Sequence, residues 1–211
     1  MNAGTVDLRG AAGDSGTGLT DIAAGGSSMK RRMLAGEPYL PDDAELVADK
    51  LRCARLVRDY NATDPADLHT RTALLAELLG AVGPESVIKP PVYFDYGYQT
   101  TIGRGTFVNA GAMILDVGRV DIGDHVQIGP NVQLLTPLHP MNAADRRAGW
   151  ETQAPVSIAD GTWLGGGVIV CAGVTIGEDA VIGAGSVVTR GIPPRVFAAG
   201  NPCRVIRELP E

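Results

Sequence analysis

The sequence predicts a mainly β protein, a parallel β-helix preceded by a small helical unit. Three observations carry that expectation. Aliphatic side chains recur at every sixth position through most of the second half. A second column of small or β-branched residues follows four positions behind the first. Residues 42–80 show helical spacing instead. A fixed short period with two inward columns is the signature of a solenoid, in which one turn of chain buries nothing until its neighbours stack on it.

Residues 1–28 are rich in Gly, Ser, Ala and Thr and read as a flexible extension. They lack the basic segment and apolar stretch of a secretory signal. Met29 opens the first stretch of foldable composition, MKRRMLAGEPYL, and is a candidate start; residues 29–84 are assigned to an N-terminal helical domain. Within it, Asp42 is expected to cap a first helix, with Glu45 completing a capping box and Leu46, Val47, Leu51, Ala54 and Val57 following helical spacing. Asp64-Pro65 marks the start of a second helix, with Leu68, Leu75 and Leu79 as its stripe and Gly80 or Gly83 beyond its end. The simplest role for both helices is a packing cap for the rest of the chain.

Residues 85–211 are assigned to the solenoid. The first column runs Ile102, Val108, Ile114, slips by two residues, and resumes at Ile122, Ile128 and Leu134. It returns at Ile158, Leu164, Val170, Ile176, Ile182 and Val188. The second column is Thr106, Ala112, Val126, Val132, Thr162, Val168, Val174, Ala180 and Ser186. Just after the aliphatic residue stands a small one at Gly103, Gly123, Gly129, Ala159, Gly165, Gly177 and Gly183, read as the place where the backbone turns a corner. Glycine at this frequency is incompatible with a helical or doubly wound reading. Residues 135–157 break the period, are polar and contain prolines, and read as a loop extruded from one corner; long loops on a rigid scaffold often carry function.

Composition narrows the function. A net charge of −6 disfavours nucleic acid as main partner, and no apolar run approaches the ~20 residues of a membrane helix. Cys53, Cys171 and Cys203 are odd in number and share no CxxC spacing, which reads as free thiols in a reducing, cytoplasmic setting. His69, His125 and His139 do not cluster in sequence, so no metal site is expected.

Several segments together resemble the sugar O-acetyltransferases of the hexapeptide-repeat superfamily, of the maltose, galactoside and nodulation-factor type. They are AGEPYLPDDAEL at 35–46, RLVRDYN at 55–61, FDYGYQTTIG at 94–103, LDV at 115–117 and LHP at 138–140, together with the repeats of 155–194 and AAGNPCRVIREL at 199–209. The resemblance implies a left-handed parallel β-helix of hexapeptide repeats with a small N-terminal helical domain. It implies a homotrimer with each active site between two subunits, and acetyl-CoA as co-substrate.

It also implies roles for particular residues. His139 falls where the family carries its catalytic histidine. Imidazole titrates at about pH 6.5, so it can take the proton from an alcohol that is otherwise a poor nucleophile. Asp95, Asn109 and Asp116 match acceptor positions, with Asp42 the nearest counterpart of a further family aspartate; carboxylates and amides suit sugar hydroxyls because they accept directional hydrogen bonds. For Asp95 and Asp116 the competing role is turn capping. Glu151 is positioned in the loop to orient His139 or the acceptor, or to be a solvated carboxylate. On the cofactor side Gly166, Ala184, Thr189, Arg190, Arg204 and Arg207 match the family's contacts, with Gly166 standing where relatives use serine. Guanidinium groups are suited to the phosphates of acetyl-CoA. Cys171 sits in a small-residue slot and is read as packing, and Trp163 either lines a pocket or packs on the coil. The alternatives are the same fold and cofactor with a serine, antibiotic or amino-sugar acceptor, or a non-catalytic trimeric scaffold.

Overall fold

The computed structural model describes residues 28–210; the extension expected at the N-terminus lies outside the described residues except for Ser28. Ser28 caps helix α1 (Met29–Leu34), its hydroxyl accepting from the Arg31 N–H. Helix α2 spans Ala44–Asn61 and α3 spans Leu68–Leu78. Both caps differ from the sequence expectation. Asp43, one residue later than Asp42, accepts from the Glu45 N–H, and Asp67, not Asp64, caps α3 by accepting from the Thr70 N–H. Asp64 instead closes a turn by accepting from the Ala66 N–H. The buried stripe of α2 is Leu46, Cys53, Leu56, Val57 and Tyr60, whereas Val47 and Leu51 are exposed.

The solenoid has three parallel faces. The first holds Ala81–Val82, Thr100–Ile102, Val120–Ile122, Val156–Ile158 and Thr175–Ile176. The second holds Val87–Ile88, Phe107–Val108, Gln127–Ile128, Trp163–Leu164, Val181–Ile182 and Val196–Ala199, closed by antiparallel Arg204–Glu208. The third holds Val92–Phe94, Ala112–Leu115, Gln133–Leu135, Ile169–Val170 and Val187–Val188. Its strands begin at Ala81, ahead of the assigned boundary at 85, and Val82, Ile88 and Phe94 extend the six-residue column backwards.

Register explains the columns. Ile102 aligns with Ile122, then Ile158, then Ile176; Leu164 lies between Ile128 and Ile182. These side chains and the second column are buried and form one continuous core along the axis, apolar but for Thr106, Thr162 and Ser186, whose hydroxyls donate to backbone carbonyls. Most turns contribute only two or three strand residues to each face, so stability comes from stacking turn on turn. The small residue after each aliphatic has a different reason from the one expected. A Cβ on Gly103 would lie 2.5 Å from the backbone of Gly123 in the next turn, so close approach between turns selects glycine there. The left-handed bend sits two residues later, where Gly105 has φ +62 and His125, in the equivalent slot, has φ +54.

The helices close the N-terminal end. Cys53, Leu56, Val57 and Tyr60 of α2 join the solenoid core, and the Tyr60 hydroxyl donates to the Ile88 carbonyl. Asn61 pairs with the open strand edge: its Nδ2 donates to the Val92 carbonyl and its Oδ1 accepts from the Val92 N–H, both at 2.9 Å. An unpaired edge is a template for aggregation, and a side-chain amide here mimics the missing strand.

Candidate active site

All departures from the six-residue period occur at one corner. The spacing widens to eight between Phe94 and Ile102 and between Ile114 and Ile122, and to 24 between Leu134 and Ile158; each interval runs from the third face to the first. The residues inserted there include Asp95, Asp116, His139 and Glu151. Stacked turns thus bring together side chains far apart in sequence.

The largest insertion is more ordered than the loop expected over 135–157. Pro137–Leu138 pairs antiparallel with Thr152–Gln153, and helix α4 (Ala143–Arg147) lies between them. Asn142 caps α4, and the Arg146 guanidinium donates to the carbonyl of Pro140 at 2.7 Å, bracing the turn after His139. Residues at both ends of the expected loop, Leu135 and Val156–Ser157, already belong to solenoid strands. His139 is exposed, with its Nδ1 4.0 Å from Glu151 Oε1.

Glu151 is held from the other side. Its second oxygen, Oε2, accepts from the Tyr39 hydroxyl at 2.6 Å, and the two residues exchange backbone hydrogen bonds at 3.0 Å in an isolated antiparallel bridge. Tyr39 is fully buried, and burial is the main reason its phenol is pushed well above the usual range. Residue pattern gives Tyr39 no role, although it lies within the AGEPYLPDDAEL segment. The only local signal is a large aromatic in a polar, Gly- and Pro-bearing connector.

Asp95 lies half-buried at the same corner. Desolvation raises its carboxyl, the nearby Lys50 pulls it down, and the negative charge of Glu151 adds to the rise. Asp116 is fully buried. One oxygen accepts from the N–H groups of Asp95 and Tyr96 at 3.1 and 2.9 Å, and the other accepts from the Thr100 hydroxyl at 3.0 Å. Its carboxyl is pushed up to about 6, by desolvation above all. The turn-holding role is therefore the one its hydrogen bonds describe: Asp116 fixes the backbone that carries Asp95. Asp42 is exposed, outside this cluster of contacts.

Asn109 does not join them. It lies after the second-face strand Phe107–Val108, where its N–H donates to the Ile128 carbonyl and its side-chain oxygen accepts from the Ala110 N–H. With Gly166, Ala184, Trp163, Phe107 and Phe197 it lines an open groove of about 450 Å³ along the second face. Thr189, Arg190, Arg204 and Arg207 are exposed toward the C-terminal end. The Arg207 guanidinium lies 5.7 Å from the centre of the Phe197 ring, which ties the basic segment to the groove. Cys171 is partly buried against the core, and burial raises its thiol, which disfavours the nucleophilic thiolate. His69 is exposed on α3 and His125 occupies a turn slot. No helix among the described residues is long and apolar enough to cross a membrane.

Comparison with known proteins agrees with this architecture. Residues 32–83 match the maltose acetyltransferase hexapeptide capping motif and 155–190 match six bacterial transferase hexapeptide repeats. Nodulation protein L of Rhizobium meliloti is 45% identical over 178 residues, covering 84% of this chain and 97% of that protein. A maltose O-acetyltransferase from Clostridium difficile superposes with a TM-score of 0.87 at 42% identity, covering 89% of this chain and 100% of that one. A galactoside acetyltransferase in complex with coenzyme A superposes with a TM-score of 0.84 at 40% identity, covering 87% and 92%.

Proposed function

The chain belongs to the hexapeptide-repeat acetyltransferases that carry the maltose-acetyltransferase cap, and on that basis we propose that it moves an acetyl group from acetyl-CoA to a sugar hydroxyl, with His139 as general base. The observation that carries the reading is the corner itself: an exposed imidazole faces the Glu151 carboxylate through Nδ1, beside a half-buried aspartate. At 4.0 Å the pair is at ion-pair distance; closing of the carboxylate onto Nδ1 in the substrate complex favours the tautomer with its proton there and leaves Nε2 free to accept one. Nε2 takes the hydroxyl proton as the acceptor oxygen attacks the thioester carbonyl, and backbone N–H groups steady the oxyanion. Collapse of the tetrahedral intermediate expels the CoA sulfur, which takes the proton back from His139. Asp95 orients the acceptor by accepting from its hydroxyls.

Acetyl-CoA fits the second-face groove, with the pantetheine arm on Trp163, Phe107 and Phe197, the narrow path past Gly166 and Ala184, and the phosphates among Thr189, Arg190, Arg204 and Arg207. Coenzyme A in the complex of the related galactoside acetyltransferase supports this co-substrate. The groove and Asn109 follow the second-face strands, whereas His139 follows the third, so one chain holds the halves of a site at different corners. A homotrimer completes it: the His139 corner of one subunit meets the groove of the next. The outward row on the third face, Tyr93, Met113, Gln133, Ile169 and Val187, is apolar but for Gln133 and offers the surface for that contact.

The test is CoA thiol release from acetyl-CoA with maltose, glucose, a galactoside, serine and chloramphenicol, for the native chain and His139→Ala. Turnover with a sugar, reduced at least about a hundredfold in the variant, is expected. Equal turnover in the variant removes His139 from the mechanism; turnover with serine or chloramphenicol alone moves the acceptor class.

A further inference from the structure

We infer that Tyr39, a residue of the N-terminal cap, is a positioning residue for the reaction: its hydroxyl fixes the Glu151 carboxylate that in turn orients His139. This rests on the reading of His139 as the base. Three contacts lock the pair. The Tyr39 N–H donates to the Glu151 carbonyl and the Glu151 N–H donates to the Tyr39 carbonyl, each at 3.0 Å, which sets the backbone of the catalytic insertion against the cap. The phenol then donates to Oε2 at 2.6 Å, a short charge-assisted bond. A glutamate side chain turns about three bonds, so a backbone bridge alone leaves its carboxylate free. With Oε2 pinned by the phenol, Oε1 is the oxygen left facing His139 Nδ1, 4.0 Å away.

The anchor itself cannot easily move. Tyr39 is fully buried in a small cluster with Met33, Leu46, Tyr96 and Val117, separate from the solenoid core. Lys30 on α1 reaches Asp49 on α2 at 2.8 Å, and Asp49 accepts from the Tyr98 hydroxyl at 3.1 Å, so the helices and the 95–100 turn are joined around the cluster. The Gln153 side chain donates to the Met33 carbonyl at 3.1 Å, a second tie between cap and insertion. The cap therefore does more than cover the end of the core. It supplies the hydrogen-bond partner of the carboxylate that faces the base, although Tyr39 and Glu151 are 112 residues apart.

The experiment compares Tyr39→Phe, Glu151→Gln and the double variant in the full-length protein, using acetyl-CoA with maltose and with methyl β-galactoside. Tyr39→Phe keeps the ring, its packing and the backbone bridge, and loses only the hydroxyl. We expect kcat to fall on the order of tenfold with KM for both substrates unchanged, and Tyr39→Phe to add nothing in the Glu151→Gln background. Native kcat in Tyr39→Phe overturns the inference, as does an equal loss in both backgrounds. If Tyr39→Phe lowers thermal stability, kcat is read well below its Tm, with the folded fraction fixed by circular dichroism, and the same kcat-selective loss per folded protein is required. Full activity of His139→Ala in parallel overturns the base assignment instead, and separates that failure from this one.

Discussion

Replacing Asp116 with asparagine removes a buried charge while leaving an acceptor for the 95–100 turn. Asparagine Oδ1 can accept from the N–H groups of Asp95 and Tyr96, and the Thr100 hydroxyl can rotate to accept from Nδ2 where it now donates. The magnitude follows from the burial of this carboxyl. The carboxyl is held at about 6 in the folded chain against about 3.9 in an unfolded one. Folding therefore favours the protonated form. The contribution of this group is fully present below the unfolded value and is lost as pH rises through about 6. That gap corresponds to about 3 kcal/mol at pH 8, and to roughly half as much at pH 5, where the unfolded carboxyl is ionised and the folded one is still mostly protonated. Asp116→Asn is thus expected to be more stable than the native chain at pH 8 by roughly 2–3 kcal/mol, or several degrees in Tm, with the advantage about halved at pH 5. Thermal unfolding followed by circular dichroism at fixed protein concentration measures it, because only the difference between variants matters at each pH. An asparagine variant less stable at pH 8, or a difference that does not change between pH 5 and pH 8, refutes the reasoning.

Two adjacent residues on the second face should behave in opposite ways. Leu164 is fully buried between Ile128 and Ile182, so Leu164→Ala should cost about 2–5 kcal/mol in denaturant unfolding with the acetyl-CoA KM of the surviving fold little changed. Trp163 points outward into the groove, so Trp163→Ala should leave unfolding within about 0.5 kcal/mol while raising the KM for acetyl-CoA several-fold in steady-state kinetics.

The site is legible in sequence to different depths. His139 and Glu151 stand out because they interrupt a strict period, and a period is broken only where the chain leaves the stack. The two-residue slip after Ile114 marks the place of Asp116 by the same logic, whereas Asp95 is singled out by the family resemblance. The column from Val82 to Phe94 is equally periodic but is masked by Lys89, Pro90 and Pro91 at its turn. Pattern points to Asp42 as a cap where Asp43 serves, because the two are the same side chain and only the backbone angles decide which one faces the open N–H groups. The stripe of α2 shifts for a similar reason: Val47 and Leu51 have the right spacing for a helix but face away from the end of the solenoid.

The solenoid, its inward columns and the corner at which it is interrupted are all written in the residue order, since they depend only on which side chains can stack every sixth position. The partners are not. Tyr39 meets Glu151, and Asp116 turns inward to hold the backbone of Asp95, only once the chain has folded. Asn109 falls on a different corner from the histidine with which the resemblance groups it. Local pattern constrains what points into the core, but what meets at a corner depends on how separate turns and the cap are superposed, and no local pattern encodes that.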